Sequence, residues 1–265
     1  MSRLWAESWR IGLGADRVEA LRLRPFTRAQ VAAQGSASVD AGAAPLADRV
    51  AAALGLALAD AGAGAGRGSA TVVLSNELVH YAVLPWQAGI TRPAEVQAVA
   101  QLHFQRLLGD AAQTCSVQCH EGGWGQPVLA CAVDNALVDA MRAALAERGL
   151  KLASLQPLLM AAANGLRGRL ADDAALAIVE RDRVCLARWS GGRPVEVASR
   201  RAGAGANTPP GTVVAQELAL SEHGAPAQPV DVLLVGPQAR WSATDGLGAR
   251  LLNPTPGPLA LAGEA

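Results

Sequence analysis

Lys151 is the only lysine in 265 residues, so a Schiff base or a lysine-held phosphate must use it or be absent. All other cationic side chains are arginines, a bias ascribed to a GC-rich genome rather than to selection for bidentate contacts. Cys115, Cys119 and His120 have the residue types of a metal cluster. They fall in a stretch that reads as a strand, where positions four apart share a face but stand roughly 13 Å apart. One ion cannot bridge that distance. With Cys131 and Cys185, which add no CxxC pair, they are expected to be reduced core thiols. Asp16 and Asp182 offer two carboxylates for acid–base work, but both sit at turn positions, and the arginine after each favours the ionised form. Histidines 80, 103, 120 and 223 are scattered, and the chain contains no G-x-S-x-G elbow, P-loop or H-E-x-x-H.

The residue types that stand out are aromatic: six tryptophans against one tyrosine and two phenylalanines. Trp5 and Trp9 precede the first expected strand, Trp86 follows a strand end, Trp124 lies in a glycine-rich turn, and Trp241 is in a loop. Trp189 alone falls inside an expected strand. Each can cap a core edge, but exposed aromatics are also what a docking surface needs. Trp86 follows Pro85, which ends strand pairing, so its side chain is free to be presented. Tyr81, Pro85 and Trp86 are therefore the candidate partner-binding residues.

The elements that position them are clearest over residues 72–108. Residues 78–84 read as a strand with both faces largely apolar, buried inside a sheet, and Pro85 stops it. Thr91 is placed to cap a helix with Pro93 in its first turn and Glu95 near its positive end. Val96, Val99, Ala100, His103, Phe104, Leu107 and Leu108 recur at helical spacing, and Gly109 ends it. Upstream, residues 8–24 read as a hairpin turning at Gly14-Ala15-Asp16, a third strand covers Gln30 to Val39, and Pro45 opens a helix. Downstream, Thr114 to His120 and Pro127 to Val133 form a hairpin around a loop at Glu121-Gly122-Gly123-Trp124-Gly125, then Asp134 or Asn135 caps a helix ending at Gly149. Leu150 to Leu155 is a strand, and Pro157 starts a helix through LLMAAANGLRGRL.

The pattern then starts again. Ala174 to Val179, Val184 to Trp189 and Val195 to Ser199 read as three strands, with turns at Arg181-Asp182-Arg183 and Gly191-Gly192. Asp16-Arg17-Val18 and Asp182-Arg183-Val184 sit at the same point of two strand–turn–strand units, which indicates structural duplication. A helix at Gly211 to Leu220, an apolar strand at Val230 to Val235 ended by Gly236-Pro237, and a strand at Ala249 to Leu252 complete the second copy. A loose, proline-rich tail follows.

The totals set outer limits. Twenty-three basic residues balance 23 acidic ones, so no global field favours nucleic acid or an anionic membrane. The N-terminus lacks a signal-peptide core, and no apolar run reaches the ~18 residues that span a bilayer. A soluble, cytoplasmic protein is expected.

Three antiparallel strands followed by alternating helices and strands, twice in one chain, resemble the actin-like fold. This is an α/β fold with mixed sheets, in which two ribonuclease H-like halves face each other across a cleft. Within it the sequence resembles the PilM family of type IV pilus assembly proteins and the cytoplasmic domain of the type II secretion protein GspL. The resemblance rests on the hairpin Ile11 to Leu23, the strand ending in Leu84-Pro85, the helix after Pro93 bearing Glu95, the hairpin and helix from Cys115 to Gly149, and the Leu155-Gln156-Pro157 step into the helix with Asn164. It implies a first half over residues 1–170 with an inserted subdomain at about 70–135, a second, reduced half over 171–253, and a tail over 254–265. It also implies a non-enzymatic cytoplasmic scaffold beneath the inner membrane. Such a scaffold docks the cytoplasmic tail of a membrane-anchored partner and, in the secretion branch, an assembly ATPase, with homodimer formation also open. Any membrane attachment would come through the partner.

Nucleotide-binding members of the fold hold phosphates with two glycine-bearing turns and keep an acid in the first strand to position the metal. Gly12 and Gly14 are what remains of the first turn, with Leu13 where the acid is expected. Glu180-Arg181-Asp182 has no glycine, and Gly236-Pro237 replaces a Gly-Gly pair. ATP with magnesium is therefore disfavoured as a cofactor, and no catalytic residue or metal ligand is assigned. The alternative is an ATP-binding actin-like protein or a small-molecule kinase of the same superfamily.

Overall fold

A computed structural model describes residues 7–24, 30–63, 68–90, 92–120, 123–203, 208–224, 226, 228–236, 239–241 and 247–252. The described residues up to Leu78, with Val133–Gly165, form one compact unit; Val79–Ala132 and the described residues from Leu166 onward form a second.

The first unit is built on a five-stranded mixed sheet. Strands β1 (Glu7–Leu13), β2 (Arg17–Arg24) and β3 (Gln30–Ser38) are antiparallel, while β4 (Gly68–Leu74) and β8 (Leu150–Pro157) add in parallel, giving the order β3-β2-β1-β4-β8. Helix α1 (Leu46–Asp60) provides the crossover that a parallel β1–β4 pair requires. It packs against β2, β3 and α3 (Asn135–Glu147). Trp9 does not precede the first strand: it lies within β1, fully buried. The reason is alternation, since Trp9, Ile11 and Leu13 share a face and all three are core residues. Asp134 caps α3, its carboxylate accepting from the Ala136 amide at 2.9 Å. Helix α4 (Leu158–Gly165) stops at Gly165 rather than running on to residue 170.

The second unit repeats the sheet. Strands β9 (Ala175–Val179), β10 (Arg183–Ser190) and β11 (Arg193–Arg201) are antiparallel, β12 (Val230–Leu234) and β13 (Ala249–Leu252) add in parallel, and the order is β11-β10-β9-β12-β13. Helix α5 (Pro210–Leu220) seats Val213, Val214 and Leu218 on Ala175, Ala177, Val184, Leu186 and Val232. Buried Arg188 donates to the Ser221 hydroxyl and to the His223 carbonyl at 3.3 Å, tying the segment after α5 to the sheet.

The duplication extends to individual backbone hydrogen bonds. Gly14 donates to the Arg17 carbonyl at 2.9 Å, and Glu180 donates to Arg183 at 2.8 Å. Val39 donates to Asp16 at 2.8 Å, as Ala202 does to Asp182 at 3.1 Å. Ser75 donates to Leu13 and Val235 to Val179, each at 2.9 Å. Around these turns Arg17 pairs with Glu19 at 3.0 Å, and Asp182 pairs with Arg181, the residue before it, at 2.9 Å.

The second unit also carries a three-stranded sheet, order β5-β7-β6, from β5 (His80–Leu84), β6 (Cys115–Cys119) and β7 (Val128–Asp134). Residues 80–84 are therefore an edge strand of a small sheet, not an interior strand covered on both faces: Ala82 and Leu84 are buried while His80 is exposed. Alternating burial follows from having a helix on one face only. That helix is α2 (Pro93–Leu108), which places Ala100 and Phe104 on Ala82, Leu84, Val117, Ala130 and Ala132. His103 and Leu107, expected on the apolar face, are exposed instead. The Arg92 amide donates to the Glu95 carboxylate at 3.1 Å, closing the first turn. Thr91, Trp5, Glu121-Gly122, Pro237 and the 254–265 tail lie outside the described residues.

Candidate functional site

The β5 strand ends at Leu84, and Pro85 and Trp86 follow it into an exposed loop. The hydrophobic demand of α2 and the β5–β7 pairing bring Ile90, Val96, Val99 and Val128 beside them. Together Leu84, Pro85, Trp86, Gln87, Ile90, Val96, Val99 and Val128 line an apolar depression with a cavity volume of 30 Å³. A small-molecule site is roughly ten times larger or more, so the depression suits an inserted side chain and not a nucleotide.

Trp86 does not stand alone. Trp124, from the loop between β6 and β7, meets it edge to face, with ring centroids 5.2 Å apart and planes at 64°. Such T-shaped pairs are favoured by the ring quadrupoles. Trp124 is 75% exposed and Trp86 38%. Two large indoles held this open to water are what a protein surface presents when another surface is to cover them.

Of the candidate partner-binding residues, Pro85 and Trp86 line the depression. Tyr81 is half-buried on β5, paired in register with Cys131, and does not line it. The alternation of β5 places Tyr81 and Val83 on the face opposite Ala82 and Leu84. The sequence shows Trp124 only as an aromatic in a glycine-rich turn; its pairing with Trp86 depends on β6–β7 geometry that no local pattern reveals. The same holds for Ile90, Val96, Val99 and Val128.

The β6 strand is partly sealed against a partner strand, because Gln97 Nε2 on α2 donates to the Val117 carbonyl at 2.8 Å. Burial pushes the Cys131 thiol up to about 11, with the nearby Cys119 adding to it and a bond from the Gln118 backbone opposing it. Burial also raises Cys119, and raises buried Cys185 further. Among the described residues no His/Cys/Asp/Glu group is arranged to hold a metal ion.

At the first hairpin, Gly12 is buried within β1, opposite Glu19 and Val73. The Gly14 amide is committed to Arg17, and a Cβ at position 14 would stand 3.1 Å from that same carbonyl. Both hairpin turns thus close on themselves, Gly14 and Glu180 each donating its amide across its own turn.

No protein-family model and no curated protein matches the chain. Solved structures do. The cytoplasmic domain of EpsL, an inner-membrane component of the type II secretion system of Vibrio cholerae, superposes with a TM-score of 0.62 at 12% identity, covering 97% of this chain and 93% of that one. The PilM–PilN type IV pilus biogenesis complex gives a TM-score of 0.63 at 15% identity, over 88% of this chain and 82% of that one. A Bacteroides thetaiotaomicron protein with an actin-like ATPase fold gives 0.58 at 11% identity, over 89% and 85%. This chain has the actin-like fold, in a form similar to the EpsL (GspL) cytoplasmic domain and the PilM–PilN complex.

Proposed function

We propose that this protein is a non-enzymatic scaffold of a type II secretion or type IV pilus assembly platform, which captures the cytoplasmic tail of a membrane-anchored partner. The observation that carries this reading is the exposed Trp86–Trp124 pair beside an apolar depression. It sits on a fold similar to an inner-membrane secretion component and to a pilus biogenesis complex. No helix among the described residues is long and apolar enough to cross a membrane. In this reading the protein is cytoplasmic and reaches the inner membrane through its partner, as a fold similar to the cytoplasmic domain of an inner-membrane component supports. An assembly ATPase is a second partner of the same platform. The lack of enzymatic activity is supported by hairpin turns that close on their own amides and by Leu13, which stands where a metal-positioning acid is expected.

Two measurements test this. Affinity purification from the native host should recover a membrane-anchored assembly protein with the wild-type chain, and much less of it with Trp86→Ala. A thermal scan with magnesium and ATP should raise the midpoint no further than equal concentrations of phosphate or AMP do, because a nucleotide cleft that does not bind ATP adds no stabilisation of its own. A rise of several degrees with magnesium and ATP that phosphate and AMP do not reproduce would replace the scaffold reading with that of an ATP-binding protein.

A further inference from the structure

The second unit carries positive charge that the docking groove does not use. The β10–β11 register sets Arg183 directly opposite Arg201. Side chains so placed have Cβ atoms about 4.5–5.5 Å apart, and like charges there repel. The neighbouring carboxylates are engaged elsewhere: Asp182 holds Arg181 and Glu217 holds Arg200, each at 2.9 Å. Among the described residues, neither Arg183 nor Arg201 forms an ion pair. The turn residue Glu180 contributes one negative charge to this neighbourhood, felt at Cys185.

Arg183 donates from Nη1 to the Ser199 hydroxyl at 3.1 Å, and its Nε is buried with no hydrogen-bond partner. A buried guanidinium N–H in a native structure calls for an acceptor. Within the same unit β5, which starts at His80, lies against β11, and the charge of Arg183 reaches His80. Burial and then the charge of Arg183 hold that imidazole below its ordinary value.

Two guanidinium groups, a hydroxyl and an imidazole around an unused buried donor make the donor set of a tetrahedral oxyanion. We propose that Arg183, Arg201, Ser199 and His80 form a binding site for a phosphate-class oxyanion in the second unit. The site lies at the His80 end of β5, whereas the Trp86 groove begins at its Leu84 end. It does not depend on the docking reading. A bound dianion relieves the Arg183–Arg201 repulsion and gives the buried Nε its acceptor.

The test is calorimetric titration of the full chain with inorganic phosphate, against sodium chloride of equal ionic strength, for wild type and Arg201→Gln. Arg201 is exposed at a strand end, so the variant keeps its fold. Without phosphate it should melt at or above the wild-type temperature, because one of two opposed charges is gone. Phosphate should bind wild type at least tenfold more tightly than the variant. The His80 titration followed by NMR should move upward on adding phosphate, as the anion offsets Arg183. A parallel arm with AMP separates the sources. Responses to both ligands, lost in Arg201→Gln, support a site for the phosphoryl group itself. A response to AMP alone, lost in the variant, supports a phosphomonoester. No response to either, or an equal response in Arg201→Gln, overturns the proposal.

Discussion

Trp124 stands edge-on to Trp86, 5.2 Å between ring centroids, although the two come from different loops of the three-stranded subdomain. The pair is worth about 0.5–1.5 kcal/mol beyond its burial. Its removal should therefore leave the fold largely intact and act mainly on what the surface binds. Trp86→Ala and Trp124→Ala should each lower partner affinity by roughly thirtyfold, the scale of a hot-spot residue. Near-UV circular dichroism should lose the same coupled-indole signal in both single variants. Partner binding unchanged in both, with the coupled signal gone, would remove the pair from the interface.

Arg250 on β13 grips buried Asp231 on β12 with two bonds, 2.5 and 2.8 Å, at a directly paired register position. Asp231 is 3% exposed. Arg250→Ala leaves the buried Asp231 carboxylate without its partner and should lower stability. Adding Asp231→Asn should recover part of it, because the uncompensated charge is then gone. Urea denaturation of the single and double variants checks both statements.

Gly35 on β3 lies hard against the end of α1. A Cβ there would sit 2.2 Å from the Ala57 carbonyl oxygen and 2.5 Å from the Ala61 nitrogen, both backbone atoms. Gly35→Ala should destabilise the chain by about 3 kcal/mol, the upper end of overpacking. Gly55, inside α1, has nothing within 4 Å of an added Cβ. Gly55→Ala should instead stabilise by about 1 kcal/mol through helix propensity. Opposite shifts of the thermal midpoint for two glycine-to-alanine changes check this contact.

The Cys131 thiol, pushed up to about 11 from an ordinary 9.0, makes stability depend on pH. Its folded value is raised, so the folded chain holds the proton longer than the unfolded one. The contribution is fully present below pH 9 and declines as pH rises from about 9 towards 11. Cys131→Ser should flatten this alkaline decline in a series of urea midpoints. Folded Cys131 should also resist alkylation at pH 9, since the thiolate is the nucleophile.

Much of the fold was legible because its signals are local. The Asp16-Arg17-Val18 and Asp182-Arg183-Val184 turns announced the duplication, and equivalent hydrogen bonds at Gly14 and Glu180 bear it out. Phe104 and Ala100 were placed correctly on the buried side of α2, whereas His103 and Leu107 were not. Helical spacing gives the direction of a stripe, but its width depends on how far the partner sheet extends, and three short strands cover only part of α2. Residues 80–84 read as interior in sequence yet form an edge strand, for a related reason. An apolar run records hydrophobic demand and not how many strands will flank it.

Composition, turn chemistry and periodicity determined that this chain builds the same mixed sheet twice, and that Pro85 ends a strand and presents Trp86. These are short-range matters, decided by residues that see each other within a few positions. Tertiary structure alone decided that Trp86 meets Trp124, that Tyr81 faces away from the groove, and that Arg183 opposes Arg201. Each of these follows from strand register or from a loop brought across a sheet. Register is set by the summed packing of whole faces, so no single stretch of sequence contains it.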